Sequence, residues 1–128
     1  MALPSAALPR VARLRRPADF AALRSSSGRL GGRCFHLRYA PNAWGHARLG
    51  LAISKRVSKR AVERNRIKRL VRESFRHIRL QLPDVDVMVM AREQAAGVDG
   101  RQLLAQMDEL WKKLLGAQAG RPLDEPRH

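Results

Sequence analysis

Two periods alternate along the chain. Phe35, Leu37 and Tyr39 fall on every second residue with Cys34, His36 and Arg38 between them, which predicts a half-buried strand over 34–39. Pro41, Asn42 and Gly45 mark a turn, and Leu49, Leu51 and Ile53 then alternate with Arg48, Gly50, Ala52 and Ser54 in a second strand. Small residues on the second face leave room for close approach. Because His36 and Arg38 of the neighbouring strand reach the same face, it reads as a groove floor. From Val62 to about Leu82 the period lengthens. Ile67, Leu70, Val71, Phe75, Ile78 and Leu82 recur at three- and four-residue steps, predicting an amphipathic helix ended by Pro83. Over 84–91 alternation returns, with Val85, Val87 and Val89 set against Asp86, Met88 and Met90. Its later part is apolar on both faces, as in a central strand.

The strand, helix, strand order suggests a parallel pair and an α+β fold. A last helix follows Asp99, with Leu103, Leu104, Met107, Leu110, Trp111, Leu114 and Leu115 as its apolar face. Upstream, Pro17 opens a short helix carrying Phe20 and Leu23 on one face and ended by residues 25–28. A length of 128 residues suits one compact domain. The expected boundaries are a mobile arm over 1–12, the domain over 13–115 and a disordered tail over 116–128.

Charge changes the picture most. Lys and Arg number 26 against 11 Asp and Glu, a formal net charge of +15. A polyanion relieves such self-repulsion, and nucleic acid is the commonest for a soluble basic domain. Between Lys55 and Arg79 lie 11 basic residues and only Glu63 and Glu73 as acids. At roughly 100° per residue, Asn65, Lys68, Arg69, Arg72, Arg76 and Arg79 share a stripe away from Ile67, Val71 and Ile78. A solvated face of mixed sign would serve solubility alone, but here the signs are not interspersed, and Arg gives bidentate phosphate contacts. Lys55, Arg56, Lys59 and Arg60 extend the stripe through the preceding loop toward the helix N-terminus, itself favourable to phosphate. A helix set between two strands beside a polar groove favours RNA over a DNA major groove.

Other chemistries are poorly supplied. His36, His46, His77 and His128 make no convincing acid–base set, and one cysteine, Cys34, with no dense carboxylate group offers no familiar metal site. No apolar run reaches the ~20 residues of a membrane span, and the start, Met1 to Pro4, lacks the basic n-region of a secretory signal. Cytoplasm is the expected location, with no membrane partner. Ile67, Phe75 and Trp111 fit core positions and Cys34 a plain strand position. Phe20 fits either core or a stacking platform, and Glu73 can pair with Arg69 or His77.

The stretch from Arg48 to Phe75 and Arg76, centred on Arg64-Asn65-Arg66 with Lys68, Arg69 and Arg72 after it, closely resembles the protein subunit of bacterial ribonuclease P. Arg15 to Phe20, Asp86 to Arg92 and Leu103 to Leu114 resemble its flanking segments in order. The resemblance implies a two-layer α/β sandwich with a small sheet, flanking helices and a βαβ crossover of left hand, against the general right-handed preference. It implies that an RNA subunit performs Mg²⁺-dependent removal of the 5′ leader of precursor tRNA, while the protein contributes no catalytic residue and binds no cofactor. It further implies that Lys55, Arg56, Lys59, Arg60, Arg64, Asn65, Arg66, Lys68, Arg69, Arg72 and Arg76 face RNA, and that Phe20, Arg24, His36 and Arg38 line a leader cleft. Arg24 and Arg38 stand where aromatic residues often occur in that family, so leader contacts would lean on charge. One protein per RNA, monomeric when free, is the expected assembly. A general RNA-binding protein unrelated to tRNA processing is the alternative from another class.

Overall fold

The computed structural model describes residues 9–26 and 28–120. Its strands are β1 (Gly28–Gly31), β2 (Phe35–Pro41), β3 (Arg48–Ala52) and β4 (Val85–Ala91). Its helices are α1 (Pro17–Arg24), α2 (Ala61–Ile78) and α3 (Gly100–Gly120), with 3-10 turns at Arg10–Ala12 and Glu93–Ala95. The strands form one sheet in the order β1-β2-β4-β3. β4 is antiparallel to β2 and parallel to β3, so α2 is the crossover of a βαβ unit. The apolar residues on both faces of β4 suit this central place.

One face of the sheet presents Phe35, Leu37, Leu49, Val85, Val87 and Val89 to α2 and α3, which bury Ile67, Val71 and Phe75 and Leu103, Met107, Leu110, Trp111 and Leu114 against it. Phe75 and Trp111 pack with ring centroids 5.7 Å apart. The Trp111 indole donates to Ser74 Oγ at 2.7 Å, so the polar edge of a buried ring is satisfied within the α2–α3 contact. Glu63, in the first turn of α2, accepts from the Gly97 N–H at 3.0 Å. Gly97 has φ +75°, a conformation that costs a side-chain-bearing residue, and it presents that N–H toward α2.

Several boundaries differ from those expected. Residues 10–12 form a turn with Ala12 buried, and the Leu14 N–H donates to Leu49 O at 2.8 Å, so this segment covers the outer edge of β3. α2 ends four residues before Leu82, which reaches the core from the following turn. α3 continues beyond Leu115 to Gly120; residues 1–8 and 121–128 of the expected arm and tail lie outside the described residues. β1 was not expected at all. Gly-Arg-Leu-Gly has little strand propensity, and pairing with β2, with Leu30 opposite Leu37, makes it a strand.

α1 lies on the second face, where Leu23 and half-buried Phe20 pack with Leu14 and Met88. It answers the question posed by Gly50. A Cβ there would stand 2.6 Å from the Phe20 ring and 3.0 Å from Leu14, so what approaches the sheet closely is the chain's own helix. Gly50→Ala should therefore lift α1 and cost about 1–3 kcal/mol, as overpacking does. Urea unfolding that shows no loss would mean that Phe20 can move aside freely.

Candidate nucleic-acid interface

The register lays out the second face in rows. Gly31, His36, Met90 and Ala52 stand side by side across the four strands, followed by Arg29, Arg38, Met88 and Gly50, then Ala40, Asp86 and Arg48. The first two rows, apart from Gly50, which Phe20 covers, are the floor of a trough. One part of about 670 Å³ is lined by Arg24, Arg29, His36, Arg38 and Arg92 with Met88 and Met90. A second of about 850 Å³ shares His36, Ala52, Met90 and Arg92 with it and adds Ser54, Arg56 and Glu93. Five guanidiniums thus line the trough against one carboxylate.

Of the four expected cleft residues, Arg24, His36 and Arg38 meet here. Phe20 does not line the trough but sits over Gly50 at its side. The Arg38 Nη1 donates to Ser26 O at 3.1 Å, fixing its guanidinium against the end of α1. Arg29 and Arg92 went unnoticed in the sequence. Arg29 lies on a strand that its own residues do not announce, and Arg92 is placed by Nε donating to Gly32 O at 2.9 Å, a contact 60 residues distant. His36 is the floor's one titratable ring. Burial first, then the charges of Arg92 and Arg38, pushes it below the ordinary histidine value, and its Nδ1 is buried without a partner. The ring is therefore neutral near pH 7. Because its folded value lies below its unfolded one, its contribution to stability is complete above the ordinary histidine range and is lost as pH falls through the folded value. NMR titration should find His36 protonating below pH ~6.5, and His36→Gln should flatten stability against pH in that acid range. A ring titrating at or above that value would contradict this.

The third row is not open. Arg48 is 8% exposed, and its Nε and Nη2 donate to the two Asp86 carboxylate oxygens at 2.8 and 2.7 Å. Nη2 also lies 3.5 Å from Asp19 of α1. Asn42 Nδ2 adds a 2.7 Å bond to Asp86. This row is a structural clamp that holds α1 and the β2–β3 loop to the sheet.

The second basic surface is α2 with the loop before it. Buried Val57 anchors that loop, Ser54 and Ser58 hydroxyls accept from the Arg56 and Arg60 N–H groups, and Arg64 Nη1 donates to Ser58 O at 2.9 Å. Lys55, Arg56, Lys59 and Arg60 are exposed on it, and Asn65 and Arg69 are exposed on α2. Lys68 and Arg72 are part-buried beside them. Arg72 is pushed below the ordinary arginine value by burial and then by the charges of Arg13 and Arg69, so Arg13, from the N-terminal segment, adjoins this ridge. Two expected members are turned to other partners. Arg66 reaches Glu63 and Val98 O toward α3, and Arg76 pairs with Glu73 at 2.6 Å. Glu73 also takes His77 at 2.9 Å, so its partners are Arg76 and His77 and not Arg69. Among the described residues, no salt bridge engages Lys68, Arg69 or Arg72.

The described residues hold no group of three His, Cys, Asp or Glu placed to bind a metal. His36, His46 and His77 sit on separate elements, His46 bonding Val11 O at 2.7 Å. No helix among the described residues is long and apolar enough to cross a membrane.

The Ribonuclease P family matches residues 8–115. The chain belongs to the ribonuclease P protein family. It is 43% identical over 106 residues to the ribonuclease P protein component of Thioalkalivibrio sulfidiphilus, covering 83% of this chain and 88% of that one. To the component of Stutzerimonas stutzeri it is 45% identical over 103 residues, 80% and 79% of the two chains. Among solved structures, the RNase P protein of Staphylococcus aureus superposes with a TM-score of 0.75 at 29% identity, covering 80% of this chain and 94% of that one. The RNase P protein of Thermotoga maritima gives 0.70 at 27%, covering 79% and 96%. Family membership links this chain to ribonuclease P, an endoribonuclease complex of tRNA processing.

Proposed function

We propose that this chain is the protein subunit of a ribonuclease P ribonucleoprotein, holding the RNA subunit on the α2 ridge and the 5′ leader of precursor tRNA in the trough. The observation that carries this reading is the trough itself, five arginines facing one glutamate, together with Lys68, Arg69 and Arg72 of α2, which no salt bridge engages among the described residues. Such a surface suits a polyanion and repels free cations. As the family resemblance implies, Mg²⁺ belongs between RNA phosphates and the hydrolysis that leaves the mature 5′ end belongs to the RNA subunit. What this chain's residues do is bind and orient. Arg24, Arg29, Arg38 and Arg92 hold the leader backbone, neutral His36 offers a hydrogen bond from the floor, and part-buried Met90 supplies an apolar contact for a base. The ridge neutralises phosphates of the RNA subunit that would otherwise repel the substrate. The free protein is monomeric, joins one RNA and acts in the cytoplasm.

The test is cleavage of precursor tRNA at low Mg²⁺ by bacterial ribonuclease P RNA alone, by the protein alone and by both together. Cleavage that requires both supports the subunit role. Cleavage by the protein alone would make it a nuclease, and failure to stimulate the RNA would leave a general RNA-binding protein.

A further inference from the structure

A third basic cluster lies at the opposite end of the second face from the trough. A pocket of about 180 Å³ is lined by Arg10, Arg13, Arg15, Arg16, Trp44 and His46, with Asp19 and Arg48 at its base. Trp44 is 56% exposed, unusual for the largest apolar side chain, and the Arg48 guanidinium lies 4.6 Å from its ring centroid. The turn that carries the ring is held through its backbone. The Trp44 N–H donates to Asn42 Oδ1 at 2.8 Å, and Asn42 in turn holds Asp86 and, at 3.1 Å, His46 O. One face of the indole is thus backed by a guanidinium that Asp86 immobilises, while much of the ring remains in solvent. The pocket's lone acid, Asp19, is 3.5 Å from Arg48, so its charge is already engaged.

We infer that Trp44 is a stacking platform for an unpaired nucleotide of the RNA subunit, with Arg10, Arg13, Arg15 and Arg16 holding the adjoining phosphates. An exposed aromatic ring amid cations is the arrangement that grips single-stranded nucleic acid, since every base has a stacking face and every linkage a charge. The RNA subunit is favoured over the leader because Arg13 adjoins Arg72 on the α2 ridge, whereas Phe20 over Gly50 separates this pocket from the trough. The inference rests on the RNA-binding role proposed above and adds a contact to it.

The chain's two tryptophans make the test direct. Trp111 is buried, so acrylamide quenching reports Trp44, and Trp44→Leu supplies the blank. The full protein is titrated with ribonuclease P RNA, with precursor tRNA and with mature tRNA, and binding is followed separately by gel shift. The expected result is that ribonuclease P RNA shields Trp44 from acrylamide. Trp44→Leu should weaken that RNA's binding about tenfold, and Trp44→Phe should restore most of it. Binding with Trp44 still fully quenchable, or shielding by precursor tRNA alone, overturns the stacking assignment and spares the RNA-binding role. No binding of ribonuclease P RNA at all overturns both.

Discussion

Asp86→Ala should lower the unfolding free energy by about 3 kcal/mol, the largest loss expected of a single polar substitution in this fold. Removing one partner of a buried ion pair costs roughly 3–5 kcal/mol because the remaining charge is stranded out of water. Arg48 and Asp86 side chains are 9% and 13% exposed, and the pair is bidentate. The lower end of the range applies because Asp19, 3.5 Å from Arg48, remains as a partial counter-charge. The same change frees the Asn42 amide and loosens α1, the wall that carries Arg24. Urea unfolding should therefore shift together with leader affinity. Replacing both partners, as Arg48→Met with Asp86→Leu, should cost less than Asp86→Ala alone, since no charge is then left buried. A single variant within 1 kcal/mol of the parent, a threshold on the order of ordinary surface effects, would show the clamp to be dispensable.

The second large effect concerns binding. Arg69→Ala combined with Arg72→Ala should weaken ribonuclease P RNA binding by at least on the order of a hundredfold, each charge-assisted contact contributing ~1.5–3 kcal/mol. Each neutralised phosphate contributes about 0.7 to 0.9 to the slope of log affinity against log salt, so the double variant should shallow that slope by about 1.4 to 1.8. Stability should hold or rise. Arg72 already feels the charges of Arg13 and Arg69, and removing two of three neighbouring cations relieves that repulsion in the free protein. An unchanged salt slope would remove these two side chains from the phosphate contacts.

Much of this was readable from local pattern. Period-two alternation marked β2, β3 and β4, the longer period marked α2 and α3, and the like-charged stripe on α2 needed only a helical projection. Those signals are strong because each element buries one face, which fixes the spacing of its apolar residues. The family resemblance placed Arg24, His36 and Arg38 at one cleft, and the register brings them together. What the pattern could not supply were contacts between distant residues. β1 exists because β2 offers it hydrogen bonds, and Arg29 joins the trough only through that pairing.

Charge by itself does not say whether an arginine is free. Arg48, Arg66, Arg76 and Arg69 look alike along the chain. One is clamped by Asp86, one turned toward Val98, one paired with Glu73, while Arg69, the fourth, is in no salt bridge among the described residues. Trp44 carried no signal either, standing in a turn with no periodic neighbours until the fold set Arg48 beneath it and the N-terminal arginines around it. The sequence by itself determined the kind of elements, the α+β class and the polyanion-seeking charge, since these follow from spacing and composition. The tertiary structure alone decided which cations are spent inside the protein and which remain for a partner, because an ion pair depends on where two distant side chains meet.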